Sequence, residues 1–455
     1  MVVHTDTIVA LATPPGRSGI GVIRISGPRA LALARILVRD QDFDPQPHRA
    51  ILRSIHDVTS GEILDQALVT YFKAPHSYTG EDVVELSCHG SPVLLSHILD
   101  SLLALDARTA GPGEFTLRAL SNGRLNLSQA EAVRDLINAQ TGAALRQAAR
   151  QVKGELSARL RPIKDGVLEV IVQLESRLEF VEDDLPGVAL AQLHETLLQL
   201  SRQLDQMAAT FRSGRLLKDG LKVTLAGRPN VGKSSIFNAL LLRERAIVTE
   251  IPGTTRDTLS ELLNLDGIPV LITDTAGLRA SDDKVEHLGI ERTKQAIADA
   301  DLVVVVIDGS QPLNDEDREV LSLVADSLNV IAVNKSDLPR HDHTATLGDR
   351  QERIVPVSAK TGEGLSDLRQ AMLEPFLLRE IHDGHFLVTN ARHFDLLSRA
   401  NLALLGAGEL LKQKVSEELI LVELYNALHY LGEITGETTP DDVLSQIFST
   451  FCIGK

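Results

Sequence analysis

The segment that most limits what this chain can be is residues 227–234, which read Gly-Arg-Pro-Asn-Val-Gly-Lys-Ser directly after the apolar run Leu221–Ala226. Gly227 and Gly232 let the backbone pass close to a phosphate chain, so that backbone N–H groups and the following helix N-terminus face the anion. The pattern predicts a strand, a phosphate-binding loop and a helix. An α/β domain that binds a nucleoside triphosphate is therefore expected.

Two side chains complete this phosphate loop. In this spacing Lys233 reaches the β- and γ-phosphates, and the Ser234 hydroxyl binds Mg²⁺. The helix is expected to run from about Ser235 to Leu242. A glycine-rich turn alone would indicate only a chain reversal, whereas the full pattern between a strand and a helix is specific for phosphate binding.

A second motif selects the base. Asn334-Lys335-Ser336-Asp337 follows the apolar run Val330–Val333. The Asp337 carboxylate can accept hydrogen bonds from N1–H and the 2-amino group of guanine, whereas adenine would leave it unpaired. Mismatches of this kind give discrimination of about 10⁴ or more. GTP is therefore predicted, and Ser358-Ala359-Lys360, after the predicted strand Ile354–Val357, resembles the loop that closes over the base in GTPases.

Two further segments have the composition of GTPase switch loops, Thr254–Asp257 and Asp274–Gly277. Asp274 follows the predicted strand Val270–Thr273 and is expected to act on Mg²⁺ from outside its inner coordination shell. Thr255 is expected to close onto the ion when the γ-phosphate is present. The residues predicted to contact GTP are Asn230, Val231, Gly232, Lys233, Ser234, Ser235, Thr249, Glu250, Ile251, Pro252, Gly253, Thr254, Thr255, Asp274, Thr275, Ala276, Gly277, Asn334, Lys335, Asp337, Ser358, Ala359 and Lys360.

The residue after Asp274–Gly277 departs from the Ras-like pattern. Ras-like enzymes carry a glutamine there that orients the attacking water, whereas this chain has Leu278, which offers no polar atom. Another group must position the water. The acids nearby are Asp282, Asp283, Glu286 and Glu291, and their spacing alone does not choose among them.

Composition limits the partners and the location. The 455 residues are enough for roughly three domains. A net charge of −16 excludes a basic surface over the whole chain, so any RNA is expected to be held locally or through another subunit. Two cysteines, Cys88 and Cys452, indicate a reducing compartment. No basic leader and no apolar stretch of membrane-spanning length is present, so a cytoplasmic protein without membrane association is predicted.

The distribution of apolar residues, glycine and proline along the chain predicts a multidomain protein that combines α+β and α/β folds. Residues 1–124 are expected to form an α+β domain, with a helix from about Ser91 to Asp106. The strands predicted there are Thr7–Leu11, Ile20–Ser26, Ala67–Phe72 and Val83–Cys88.

Ser128-Gln129-Ala130-Glu131 has the pattern of a capping box and begins a helix-rich region. The boundaries predicted are 125–219 for a first helical part, 220–376 for the GTP-binding domain and 377–455 for a second helical part. The economical architecture is an all-α domain into which a P-loop, Ras-like α/β G domain is inserted, with two separate helical domains as the alternative.

Four motifs together carry a family resemblance. The phosphate loop, Gly253–Asp257, Asp274–Arg279 and the terminal Phe451–Lys455 closely resemble the MnmE (TrmE) family of tRNA-modification GTPases. The resemblance covers the whole length, whereas a generic GTPase would share only the middle. Further segments that resemble family landmarks are Asp6–Ala10, Thr13–Arg17, Tyr78–Asp82 and Gly113–Phe115.

The resemblance implies a tetrahydrofolate-binding N-terminal domain that forms a homodimer, a helical domain and an inserted G domain. It implies that an FAD-dependent partner, MnmG (GidA), joins this dimer in a heterotetramer. The complex adds a carboxymethylaminomethyl or aminomethyl group to C5 of the wobble uridine of certain tRNAs. The carbon comes from 5-formyl- or 5,10-methylene-tetrahydrofolate. The folate contacts implied are Arg24, Glu81, Arg124 and Lys455, and the family often has lysine at the third.

The resemblance also implies how hydrolysis proceeds without the glutamine. The family binds K⁺ when its G domains meet across the dimer, and the matching residues here are Asn230, Thr249, Ile251 and Thr254. Glu286 matches the family's catalytic glutamate, which acts through a water, while Lys233 is the catalytic residue at the phosphates. Cys452 matches a cysteine needed for the tRNA modification. A monovalent cation can stabilise developing charge where other GTPases use an arginine finger.

Two other functions remain open on the sequence. A ribosome-assembly GTPase would be an RNA-binding switch, and it would normally carry a basic RNA-binding appendage that this acidic chain lacks. A self-contained folate-dependent methyltransferase would need its own redox cofactor site, but the sequence contains no Gly-x-Gly-x-x-Gly unit between a strand and a helix.

Overall fold

The computed structural model describes residues 5–179, 190–244, 260–274, 294–341, 354–376, 386–437, 447–448, 450–452 and 454. The chain divides into two compact units. The first unit is Met1–Arg134, Gln151–Lys164 and Leu428–Lys455, and the second is Asp135–Arg150 and Asp165–Ala427.

The first unit is built on a six-stranded sheet of order β3-β4-β5-β2-β1-β6. Its strands are β1 (Ile8–Leu11), β2 (Ser18–Ser26), β3 (Ala50–His56), β4 (Ile63–Phe72), β5 (Val83–Gly90) and β6 (Arg108–Thr109). Neighbouring strands pair antiparallel, except that β6 runs parallel to β1. Three helices accompany the sheet: α1 (Ala30–Val38), α2 (Pro92–Ala104) and α3 (Glu114–Ser121). The predicted α+β character of this region is confirmed.

Alternation along β2 separates a core face from a polar face. Ile23 and Ile25 are fully buried and belong to the same apolar cluster as Leu33 on α1. Successive side chains of a strand point to opposite faces, so Arg24 and Ser26 share the other face. That second face carries the polar cluster described below.

The helix that follows α3 begins at a different residue from the one predicted. Helix α4 spans Leu127–Asn138, so Ser128 lies inside it and is not its cap. Asn126 takes the capping position: its Oδ1 accepts from the Gln129 backbone N–H at 2.9 Å, and Gln129 Oε1 accepts from the Asn126 N–H at 3.1 Å. The capping box is real but begins two residues earlier, because both Asn-x-x-Gln and Ser-x-x-Glu fit the pattern.

Four more helices precede the G domain: α5 (Gly142–Val152), α6 (Glu155–Glu179), α7 (Leu190–Ala209) and α8 (Phe211–Asp219). The described helices include none that is long and apolar enough to cross a lipid bilayer.

The second unit contains a six-stranded sheet of order β12-β11-β10-β7-β9-β8. Its strands are β7 (Leu221–Ala226), β8 (Ser260–Leu265), β9 (Ile268–Asp274), β10 (Leu302–Asp308), β11 (Asn329–Asn334) and β12 (Ile354–Pro356). Its helices include α9 (Lys233–Glu244), α10 (Asp315–Leu323) and α11 (Leu365–Leu373). Only β8 pairs antiparallel, with β9. The parallel strands end at one edge of the sheet, where doubly wound folds bind ligands.

Helices α12 (Ala391–Lys412) and α13 (Glu417–Thr435) follow the G domain in the chain. Helix α12 packs on α7, which precedes the G domain. Ser201 Oγ donates to Asn401 Oδ1 at 2.6 Å, and His194 Nδ1 lies 3.1 Å from the Gly408 carbonyl oxygen. Helical segments on either side of the G domain therefore pack together, which supports one helical domain with an inserted G domain rather than two separate helical domains.

Candidate functional site

The phosphate loop lies between β7 and α9, where steric contacts require its two glycines. Both have positive φ, 150° at Gly227 and 99° at Gly232. A Cβ atom at Gly227 would collide with the Val306 carbonyl oxygen, and one at Gly232 would collide with the Asn334 side-chain amide. No residue with a side chain fits at either position, so the loop keeps the close backbone approach that phosphate binding needs.

Lys233 holds its ammonium group inside this loop. The side chain is buried, and Nζ donates to the carbonyl oxygens of Gly227 at 2.8 Å and Arg228 at 2.9 Å. As the first residue of α9, Lys233 lies at the positive end of a helix dipole. The loop therefore presents a positive centre where the predicted phosphates would bind.

The predicted Mg²⁺ side chains from the loop and from β9 meet. Ser234 Oγ donates to Asp274 Oδ2 at 2.6 Å, and Asp274 is buried at the end of its strand. Hydroxyl and carboxylate oxygens are the kind of ligand that Mg²⁺ prefers. These two residues fit the ion, while Thr255 lies outside the described residues.

Asn334 joins three of the sequence motifs. Its Nδ2 donates to the Val231 carbonyl oxygen of the phosphate loop at 2.8 Å, and its Oδ1 accepts from the Ala359 N–H at 3.1 Å. The Asn334 side chain is buried. The Asn334 side chain therefore connects the phosphate loop, the base-selecting motif and Ser358–Lys360 through hydrogen bonds.

Asp337, the predicted guanine contact, is exposed and already oriented. Its Oδ1 accepts a hydrogen bond from Ser358 Oγ at 2.7 Å. That hydrogen bond lowers the pKa of Asp337 below its ordinary value, so the carboxyl is ionised at neutral pH. An ionised carboxylate is the form that accepts from two guanine donors.

Lys335 is held by an acid that the sequence reading did not single out. Its Nζ lies 2.6 Å from Asp308 Oδ2 at the end of β10. Burial opposes ionisation of Asp308, but hydrogen bonds from Lys335 and Ser310 outweigh it and hold its pKa below the ordinary value. The sequence signal for Asp308 was its place at the carboxyl end of an apolar strand.

Part of the predicted nucleotide site lies outside the described residues. These residues are Thr249, Glu250, Ile251, Pro252, Gly253, Thr254, Thr255, Thr275, Ala276, Gly277, Leu278 and Glu286. Of the predicted K⁺ residues, only Asn230 is described. It is exposed and has a left-handed backbone with φ 63°.

A second polar cluster lies on the first unit around Glu81. Its Oε2 accepts from Ser26 Oγ at 2.7 Å, and both carboxylate oxygens accept from Arg118 Nη1, at 3.2 and 3.3 Å. Arg118 is fully buried and also donates to Asp6 and Glu114. The sequence reading missed Arg118, because an arginine four residues after a glutamate is typical of an exposed helix pair.

Arg24 extends this cluster along β2. Its Nε donates to Glu85 Oε1 at 2.8 Å, and its guanidinium carbon lies 5.7 Å from the centroid of the Tyr78 ring. Its Nη1 donates to the carbonyl oxygen of Gly454 at 3.1 Å. The C-terminal tail therefore reaches the predicted folate residues.

The other predicted residues of this region are placed as follows. Arg124 is exposed, and its Cγ would lie 3.2 Å from a Cβ atom built on Gly80, so it flanks the loop that carries Glu81. Cys452 is exposed, and its carbonyl oxygen accepts from the Gly113 N–H at 3.3 Å. Lys455 lies outside the described residues. The other thiol, Cys88, is buried, and burial raises its pKa to about 12.

Two family models match this chain, one over each of two consecutive ranges of residues. A family model described as "GTP-binding protein TrmE N-terminus" matches residues 7–124, and one described as "MnmE helical domain" matches residues 127–452. The chain belongs to the MnmE family. Together with the phosphate loop and the guanine motif, this membership makes the chain a GTPase, and it confirms the predicted fold class.

Relatives in this family match over nearly the full length. A tRNA modification GTPase MnmE from Koribacter versatilis is 44% identical over 453 residues, covering 99% of both chains. The protein of the same name from Aquifex aeolicus is 41% identical over 451 residues, covering 99% of this chain and 100% of its own. Among solved structures, the G domain of the T. maritima FeoB iron transporter is 28% identical over 34% of this chain and 97% of its own, with a TM-score of 0.25.

Proposed function

We propose that this chain hydrolyses GTP to drive the modification of tRNA, at C5 of the wobble uridine of certain tRNAs. The observation that carries the proposal is the coexistence of hydrogen-bonded phosphate-loop and guanine motifs with a second, buried-arginine cluster, in a chain that matches tRNA modification GTPases over nearly its whole length. A ribosome-assembly GTPase would be expected to share only the G domain. The family match therefore favours the modification enzyme.

In the G domain, the chain's own groups bind and orient the nucleotide. Backbone N–H groups of the phosphate loop and the Lys233 ammonium bind the phosphates, while Asp337 binds the guanine edge. Ser234 and Thr255 would hold Mg²⁺, with Asp274 acting through Ser234 from outside the inner coordination shell, and the bound ion would neutralise charge on the phosphates. Glu286 is proposed to orient the attacking water in place of the missing glutamine. Glu286→Ala should then lower kcat by about 10²–10⁴ with little change in nucleotide affinity.

A monovalent cation is proposed to complete this site, with Asn230, Thr249, Ile251 and Thr254 as its ligands in a dimer of G domains. Asn230 fits that role in one respect: it is an exposed residue of the phosphate loop. Turnover in K⁺ should exceed turnover in Na⁺ at matched ionic strength and should rise with protein concentration. Equal turnover in the two salts would remove the cation from the mechanism.

The cluster around Glu81 is proposed to bind a reduced folate, either 5-formyl- or 5,10-methylene-tetrahydrofolate. A carboxylate can accept two parallel hydrogen bonds from an amino group and a ring N–H, as a pterin offers. The buried Arg118 guanidinium neutralises the charge of the Glu81 carboxylate. The lone pairs of Glu81 that Arg118 does not use can therefore face a ligand. Arg24, Arg124 and Lys455 would supply donors and positive charge. The folate would supply the one-carbon unit, and Cys452 is proposed to serve the modification at the nearby tail.

The redox chemistry is proposed to come from a partner. The sequence lacks a dinucleotide-binding glycine motif, which supports the need for an FAD-dependent protein, MnmG (GidA). A homodimer of this chain would join it in a heterotetramer that acts on tRNA in the cytoplasm. The acidic net charge of −16 is consistent with a partner that presents the RNA.

Reconstitution tests the proposal. Purified chain, the FAD-dependent partner, unmodified tRNA, GTP and a reduced folate should yield tRNA with a C5 substituent on the wobble uridine, detected by mass spectrometry of nucleosides. Omission of GTP, folate or the partner should each prevent it. Product formation without this chain would overturn the proposal.

A further inference from the structure

Arg228, the second residue of the phosphate loop, is not a predicted ligand, yet its side chain is held firmly. Its Nε lies 3.1 and 3.0 Å from the two carboxylate oxygens of Asp317, and its Nη2 donates to Gln311 Oε1 at 3.1 Å. The Asp317 side chain is 2% exposed and that of Arg228 is 16% exposed. This ion pair is therefore partly shielded from water and salt, so it is stronger than a surface pair.

Asp317 is itself fixed by the start of α10. Its N–H donates to Asn314 Oδ1 at 2.9 Å, and its Oδ2 accepts from the Asn314 N–H at 3.2 Å, which forms a capping box. The carboxylate therefore has one orientation, set by the helix end. Through it, α10 holds one side of the phosphate loop.

The other side of the loop is held by a different element. Val231 is fully buried, and its carbonyl oxygen accepts from Asn334. Between the two anchors stand Pro229, whose ring fixes φ, and Asn230, which is exposed and has φ 63°. An asparagine tolerates the left-handed region better than most residues, but it still needs its neighbours to hold it there.

We propose that Arg228 is a positioning residue that, through Asp317, directs the Asn230 carboxamide toward the nucleotide site. This inference rests on the proposed K⁺ role of Asn230 and extends it to side chains outside the cation's ligand set. The Arg228 backbone carbonyl also accepts from Lys233 Nζ. A general displacement of the loop would therefore weaken nucleotide binding, whereas a change in the direction of Asn230 would affect turnover and its K⁺ dependence.

The Asp317→Asn variant separates these two effects, because it removes the charge of the pair but keeps an oxygen for the helix cap. A matched control is Asp315→Asn, which removes the same charge from the first turn of α10 at a fully exposed side chain. GTP turnover is measured against K⁺ concentration at constant ionic strength, and affinity is measured with a fluorescent GDP analogue. In Asp317→Asn the K⁺ concentration for half-maximal turnover should rise about fivefold to tenfold, within the range of coupled contacts. Its GDP affinity should stay within about twofold, and Asp315→Asn should behave like the unmodified chain.

A double-mutant cycle with Asn230→Ala decides whether Arg228 acts through Asn230. Because Asn230→Ala removes the group being positioned, adding Asp317→Asn to it should change turnover no further. Full additivity of the two effects would overturn the proposal, as would a loss of GDP affinity in Asp317→Asn as large as the loss of turnover. Should Asp317→Asn fail to fold, Arg228→Lys provides the same test, since lysine cannot reproduce the forked contacts.

The same data keep the two proposals apart. If the unmodified chain turns over GTP equally in K⁺ and Na⁺, the cation proposal fails. The positioning role of Arg228 is then judged on coupling between Asp317 and Asn230 in kcat alone. Coupling between the two substitutions in kcat supports the positioning role of Arg228, and additivity in kcat rejects that role.

Discussion

Asn334 and Val231, 103 positions apart in the chain, are joined by a hydrogen bond of 2.8 Å between a side-chain amide and a backbone carbonyl. This bond links the motif predicted to recognise guanine to the loop predicted to bind phosphate. Because Asn334 also accepts from the Ala359 N–H, one side chain connects the three motifs. We therefore expect nucleotide recognition to depend on these three connected motifs together and not on separate loops.

Replacing Asp337 should change which base is bound. In Asp337→Asn one acceptor oxygen of the carboxylate is replaced by an NH₂ group, which donates and faces a guanine donor, so GTP affinity should fall about 100-fold or more. Xanthine has a carbonyl where guanine has its 2-amino group, so xanthosine triphosphate should bind the variant better than GTP. Titration calorimetry with both nucleotides measures this, with the exposed Asp326→Asn as the control. Unchanged GTP affinity would contradict the assignment of Asp337.

The Glu81→Ala variant should lose folate binding and keep GTP turnover. Removing the carboxylate takes away the proposed acceptors for the pterin, while Arg118 keeps Asp6 and Glu114 as partners, so the first unit should stay folded. Folate titration and GTP turnover are measured on the same preparation, with the exposed Glu62→Ala as the control. Retained folate binding would show that the site lies elsewhere in the chain.

Arg118 should be essential for the stability of the first unit. Arg118→Met would leave Glu81, Asp6 and Glu114 without their buried cation and should destabilise the unit by about 3–5 kcal/mol. Hydrogen exchange of peptides from β1 and β2 reports this local stability. The control Arg29→Met removes an exposed pair with Asp106 and should change little. Equal exchange in both variants would mean that the buried network contributes no net stability.

The first unit should lose stability in acid for the same reason. Burial opposes ionisation of Asp6 and Glu114, but hydrogen bonds from Arg108 outweigh it, so each carboxyl has its pKa lowered. As the pH falls, the carboxyl groups of the unfolded chain therefore bind protons before those of the folded chain do. The contribution is complete above the ordinary carboxyl range, about pH 4–5, and is lost as the pH falls through the lowered folded values.

Glu114→Gln checks the sign of this effect. The variant should be less stable than the unmodified chain at pH 7, and the difference should shrink as the pH falls below about 4. Hydrogen exchange of β1 at pH 7 and circular dichroism in acid supply the comparison, with Glu62→Gln as the exposed control. A difference that grows in acid would contradict the lowered pKa of Glu114.

The sequence predicted which motifs meet at one edge of the sheet because each of these motifs is local. Each motif follows an apolar strand, and parallel strands bring their carboxyl ends to one edge, so Lys233, Asp274 and Asn334 had to converge. The strands β1, β2, β4 and β5 were predicted to within a few residues. Strand β3 was not, because this edge strand has one fully buried side chain, that of Ile55, and so has little apolar alternation.

What the sequence did not predict depends on long-range packing. Arg118 contacts Asp6, just before β1, and Glu81, just before β5, and neither contact is visible in the sequence around it. The ion pair of Arg228 with Asp317 joins residues 89 positions apart, without a motif to mark it. The cap of α4 was assigned to Ser128 instead of Asn126, because two overlapping patterns fit and only the backbone decides between them.

The most direct test of the central claim is the chemistry of the wobble uridine in living cells. Cells that lack this chain are complemented with the unmodified chain, Asp337→Asn or Glu81→Ala, and nucleosides from their tRNA are analysed by mass spectrometry. The account predicts that the C5-substituted wobble uridine is absent without the chain, restored by the unmodified chain and missing in both variants. Wobble uridine that keeps its C5 substituent in cells without this chain would contradict it.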